Sequence, residues 1–112
     1  LDIVDPACKD AGAKMVVRLP VSGAFHSRYM KRVAQEFSES LAAIPFKSFE
    51  CPVISNVTAQ PYLQDSIAEL LTQQIYSSVR WVETIQALQQ NGVQDFIELG
   101  PGNVLKGLLR YF

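Results

Sequence analysis

The chain has 112 residues, 48% of them hydrophobic, and a formal net charge of −1. That length suits one small domain or part of a larger one. The near-neutral charge gives no electrostatic case for nucleic acid, and no apolar run approaches the roughly 18 residues of a membrane span. The opening is acidic, with Asp2 and Asp5, and lacks the basic stretch that begins a signal peptide. It does not start with Met and reads as the interior of an element, so a fragment or a processed chain is expected. Cys8 and Cys51 are far apart and match no metal-ligand spacing. They read as reduced, structural thiols of a cytoplasmic protein.

Taken in order, residues 1–13 read as the tail of a helix. Ile3, Val4, Ala7, Cys8 and Ala11 fall at helical spacing, and Gly12 is a stop. Residues 14–19 read as a strand ended by Pro20. A loop over 21–27 follows, relaxed by Gly23, with Ser27 placed to cap the next helix. That helix is predicted over 28–43. Met30, Val33, Ala34, Phe37, Leu41 and Ile44 line its apolar face, and Pro45 stops it. A buried strand is expected over 51–56 and a turn over 57–61. A second helix follows over 66–76, opened by a capping box of Ser66 and Glu69. A third helix over 82–90 ends at Asn91-Gly92. Residues 93–99 form the clearest strand, and Gly100-Pro101-Gly102 leads into a last helix over 103–111. Helices alternating with strands argue an α/β fold with a mainly parallel sheet.

Chemistry points to one loop. His26 is the only histidine, set between a short apolar run and a strong amphipathic helix. A lone histidine is more often structural, but a loop carried on a rigid scaffold is where active-site residues are usually found. Imidazole suits a general base near neutral pH. Such a base needs a nucleophile and a third group that fixes its tautomer. No G-x-S-x-G elbow occurs in the chain. One histidine without a close cysteine pair makes a structural zinc site a poor reading. The amides after Gly100-Pro101-Gly102 could bind an anion, although a tight strand-to-helix turn is the simpler reading. Arg28, Lys31 and Arg32 form a small basic cluster, either a solvated helix face or a docking point for an acidic partner.

Four motifs occur in order: Leu19-Pro20-Val21-Ser22-Gly23-Ala24-Phe25-His26-Ser27, Pro52-Val53-Ile54-Ser55-Asn56-Val57-Thr58, Gln74-Ile75-Tyr76-Ser77-Ser78-Val79-Arg80-Trp81 and Glu98-Leu99-Gly100-Pro101-Gly102. Each is modest alone, but the set resembles the C-terminal part of malonyl-CoA:acyl carrier protein transacylases. The related acyltransferase domains of fatty acid and polyketide synthases share it. The resemblance covers almost the whole chain. It implies a larger α/β-hydrolase-like part with a ferredoxin-like insertion beside it. Residues 1–19 would be the last helix and strand of the insertion, and 20–112 would complete the larger part. The family's G-x-S-x-G serine, its oxyanion-hole glutamine and its malonyl-pairing arginine have no counterpart in these residues.

Residue by residue, the resemblance implies that His26 is the catalytic histidine and that the backbone carbonyl of Gln74 orients it. Side-chain changes at Gln74 should then be milder than His26→Ala. Phe25 matches the residue beside the histidine that helps choose the acyl group. In the synthase domains a Phe-His pair goes with malonyl and a Ser-His pair with methylmalonyl. Asn56 matches an asparagine near the pocket. The resemblance implies malonyl-CoA as substrate and no bound cofactor. The implied partners are an acyl carrier protein, met by Arg28, Lys31 and Arg32, and the chain's own N-terminal portion. Two departures stand out. Gly23 replaces other residues, and Ser77-Ser78 replaces a frequent Asn-Pro, a change expected to loosen the aim of the Gln74 carbonyl. Two other readings stay open: an editing acyl-thioester hydrolase of the same fold, and a non-catalytic α/β binding module.

Overall fold

The computed structural model describes residues 2–18 and 20–112. Leu1 and Leu19 lie outside the described residues, and with Leu19 the end of the strand predicted over 14–19 and the boundary expected there. Among the described residues five α-helices follow in order: α1 (Val4–Asp10), α2 (Lys31–Leu41), α3 (Ile67–Gln74), α4 (Trp81–Gln90) and α5 (Val104–Leu109). Single 3₁₀ turns lead into α2 at Arg28–Met30 and into α3 at Gln64–Ser66.

Two helices end as their glycines dictate. After α4, the Gly92 N–H donates to the Gln89 carbonyl at 2.9 Å and the Val93 N–H reaches back to Leu88 at 3.0 Å. This crossed pair requires a left-handed residue at the corner, and Gly92 has φ 84°. α1 closes the same way at Gly12. The starts of the helices differ from expectation. The Ser27 hydroxyl donates to the Ala24 carbonyl at 2.6 Å, and the Ser66 hydroxyl donates to Leu63 at 3.0 Å. Neither caps its helix, so the capping box at Ser66 does not form. Glu69 instead accepts from the Gln73 side chain one turn on, at 2.8 Å.

α2 packs against α3. Ala34, Leu41, Ile67 and Ile85, with Ala59 of the 55–60 turn, form the buried apolar core. The predicted face of α2 is only partly covered, because Val33, Phe37 and Ile44 keep substantial exposure. The radius of gyration is 17.2 Å, against about 13 Å for a compact domain of this size.

The expected parallel sheet is absent among the described residues, so the α/β pattern is met on its helical side alone. Their one β contact is an antiparallel bridge between Ile54 and Pro61. The strand predicted over 51–56 is one arm of a tight reversal. Ser55 N–H donates to Gln60 at 2.9 Å and Tyr62 N–H donates to Val53 at 2.9 Å. Residues 15–18 and 93–99 lie without ladder partners among the described residues. Ile97 and Leu99 are 83% and 91% exposed. The cause is general: a strand is stable only beside another strand, and parallel neighbours are far apart in sequence.

Glu98 settles the reading of the glycine turn. Its carboxylate accepts the N–H groups of Leu105 at 3.1 Å and Lys106 at 2.9 Å. Two of the amides at the start of α5 are therefore already held by an anion from the chain itself and are not offered to a ligand. Glu98→Ala should lower stability by about 1 kcal/mol, the usual value of an N-terminal cap. A urea titration of the full-length protein checks it, with the midpoint reduced and the slope unchanged.

Candidate active site

The site begins with the C-terminus of α3. The last carbonyls of any helix lack intrahelical partners. Here the chain turns tightly past Gln74, with Ile75 N–H on Thr72 at 3.3 Å and Ser77 N–H on Gln73 at 2.9 Å. That turn leaves the carbonyls of Gln74, Ile75 and Ser77 pointing outward. His26 takes all three. Its backbone N–H donates to Ile75 at 2.9 Å. Its ring Nδ1 lies 3.0 Å from the Gln74 oxygen and 3.0 Å from the Ser77 oxygen.

Carbonyls only accept, so Nδ1 must carry a proton. In the neutral ring Nε2 is then the bare nitrogen, with its lone pair available. The backbone supports the same aim. His26 has φ 61°, a left-handed conformation that is costly for a non-glycine residue and persists only where surrounding contacts fix it. The hydrogen bonds to 74–77 are those contacts. Ser77 was missed from sequence as an orienting group. A main-chain acceptor carries no side-chain signature, although the end of the predicted helix marked where free carbonyls would gather. At the Ser77-Ser78 departure, Ser77 is tied to Gln73 and itself accepts from His26.

An open recess of about 300 Å³ adjoins the ring, lined by Phe25, His26, Phe37, Leu71, Gln74 and Ile75. Phe25 is 53% exposed. Its ring lies against Gly23, where an added Cβ would stand 3.3 Å from Cε2. The departure at Gly23 therefore makes room for that ring. The Gln74 side chain is turned the other way, accepting from the Tyr62 hydroxyl at 3.4 Å.

Asn56 does not line the recess. It belongs to the 55–60 turn, where its carbonyl accepts from Arg80 N–H at 2.9 Å. Arg80 also reaches the Thr58 carbonyl at 3.1 Å and the Glu83 carboxylate at 3.1 Å. The Glu83 carboxyl is held below its ordinary range, first by its own backbone N–H and then by Arg80. This small stabilisation is present above the usual carboxylate range and is lost as pH falls through the lowered value.

The basic cluster is exposed along the start of α2. The Arg28 guanidinium lies 5.2 Å from the centre of the Tyr29 ring, and the Lys31 ammonium 5.6 Å from that of Tyr76. Arg32 sits 3.9 Å from Glu36, an exposed pair of little energetic weight. Among the described residues no group of histidine, cysteine and carboxylate side chains is arranged to hold a metal ion. Among them, too, no helix is long and apolar enough to cross a membrane. Cys8 and Cys51 are free thiols.

No family model matches the chain. A polyketide biosynthesis malonyl CoA-acyl carrier protein transacylase of Bacillus subtilis is 50% identical over 95 residues, covering 85% of this chain and 33% of that protein. The crystal structure of the MCAT of Streptococcus pneumoniae superposes with a TM-score of 0.85 at 38% identity, over 97% of this chain and 36% of that one. A malonyl-transacylase solved in complex with its type II PKS acyl-carrier protein matches with a TM-score of 0.88 at 36% identity, again over 97% and 36%. The chain thus spans about a third of the length of each of these three proteins.

Proposed function

We propose that this chain, homologous along its length to about a third of the malonyl CoA-acyl carrier protein transacylases, is the C-terminal segment of such an acyltransferase. The reaction moves a malonyl group from CoA to the phosphopantetheine thiol of an acyl carrier protein through a serine ester. His26 is the general acid and base, and the serine belongs to a portion of the protein outside these residues. Residues 1–19 close a ferredoxin-like small part, and 20–112 complete an α/β-hydrolase-like large part. The segment at 93–99, which has no ladder partner among the described residues and keeps Ile97 and Leu99 exposed, supports this placement, since a strand needs sheet neighbours.

One observation carries the chemical reading: Nδ1 is committed to two carbonyls, and Nε2 is left to work. Nε2 accepts the serine proton as the hydroxyl oxygen attacks the malonyl thioester. It returns that proton to the departing CoA thiolate. In the second half-reaction it takes the proton of the carrier thiol and restores the serine. Two carbonyl dipoles do part of what a carboxylate does elsewhere, holding the ring and its tautomer while charge passes through it. Phe25 beside His26 limits the acyl group, because an aromatic ring leaves little room for an α-methyl branch. Arg28, Lys31 and Arg32, exposed one turn beyond His26, suit an acidic carrier. The chemistry as written needs no cofactor.

The test is intact mass spectrometry of the full-length protein after malonyl-CoA. One malonyl ester should form and should disappear when a holo carrier protein is added. A protein that stays unmodified while releasing no CoA would overturn the reading.

A further inference from the structure

Three of the four residues from 74 to 77 give their carbonyls to His26. The fourth, Tyr76, gives its side chain to α2. Its ring lines two shallow recesses between α2 and α3, beside Ala34, Ser38, Ala42 and Thr72. The Lys31 ammonium lies over its face at 5.6 Å. So it is the ring, an aromatic face beneath a cation, that fastens this segment to the helix following His26.

We infer that Tyr76 is a positioning residue, whose ring, held between α2 and α3 under Lys31, fixes the carbonyl cradle that aims His26. The cradle is short and irregular. Beyond the α3 terminus its internal hydrogen bonds run only back to Thr72 and Gln73. Those bonds tie the cradle to α3, and the ring of Tyr76 ties it to α2 as well. If the cradle turns, Nδ1 loses one acceptor and the ring of His26 can swing. A misplacement of about 1 Å at a reacting group can cost on the order of 100-fold in rate.

The inference rests on the proposed role of His26, and its test separates the two. In the full-length protein the rate of malonyl ester formation is measured, which needs no carrier and so does not involve docking through Lys31. Tyr76→Phe keeps the ring and should retain the parent rate within about twofold. Tyr76→Leu keeps apolar volume without the aromatic face and should lower kcat at least about tenfold, with KM for malonyl-CoA nearly unchanged, as expected for lost aim at the reacting centre. A second readout is independent of activity. The proton resonance of His26 Nδ1–H, assigned by its loss in His26→Asn, should persist in Tyr76→Phe and shift or broaden in Tyr76→Leu. If Tyr76→Leu leaves both kcat and that resonance unchanged, the inference is wrong, even where its melting temperature falls. If His26→Asn leaves turnover intact, the catalytic reading fails, and the resonance alone still decides whether Tyr76 aims the ring.

Discussion

His26→Ala in the full-length protein should lower malonyl transfer to a carrier thiol at least about 100-fold, the lower end of what a general base contributes. Two consequences of the substitution must be kept apart. Alanine removes the bare Nε2, but it also removes the ring N–H that satisfies the carbonyls of Gln74 and Ser77. It further leaves a methyl-bearing residue at φ 61°, where non-glycine residues are strained. His26→Asn resolves this. Asparagine tolerates left-handed backbone better than most residues, and its amide N–H₂ can still donate to a carbonyl. It has no group able to take a proton near neutral pH. The expected result is a protein that melts close to the parent and transfers malonate as slowly as His26→Ala. Parent-like turnover in His26→Asn would remove His26 from the mechanism.

The second large effect concerns which acyl group is accepted. Phe25→Ser should reduce the preference for malonyl-CoA over methylmalonyl-CoA by about 10- to 100-fold, the range that one methyl group commands in an apolar pocket. The ring is half exposed and rests on Gly23, so its loss opens the recess beside His26 without emptying a core. Stability should therefore change little, and the effect should fall on the selectivity ratio. Competition between the two thioesters in one reaction measures that ratio directly. An unchanged ratio would mean that the acyl group is chosen elsewhere, and Phe25 would be left with a packing role.

Much of the helical framework was legible in the sequence because its signals are local. Residues 66–76 and 82–90 carry apolar residues at helical spacing, and the helices α3 and α4 appear there within a residue or two. Asn91-Gly92 announced the end of α4, and the left-handed Gly92 supplies it. The helix expected from 28 begins instead at Lys31, since Arg28–Met30 is wound as a 3₁₀ turn. The strands were legible as composition but not as structure. Val93, Phe96, Ile97 and Leu99 have strand character, yet pairing is a property of two segments, and among the described residues no second segment lies beside them. Hydroxyl caps misled because serine has several carbonyls within reach, and both Ser27 and Ser66 turn back to the residue three before. At the site, His26 stood out by being unique and by its loop. The pair His26–Gln74 came from the family resemblance, and the carbonyls of Ile75 and Ser77 are visible only in the fold. Backbone acceptors are common to every residue, so no choice of side chain records which of them is used.

The bare segment at 93–99 has a practical consequence for anyone handling these residues apart from their neighbours. Beyond Val93, whose N–H is taken by Leu88, its backbone has no ladder partner among the described residues, and Ile97 and Leu99 face solvent. Such an edge recruits whatever strand comes within reach, including the same segment of another molecule. Produced alone, the chain should therefore cluster and precipitate as its concentration rises. A charged residue in place of Ile97 should slow that clustering.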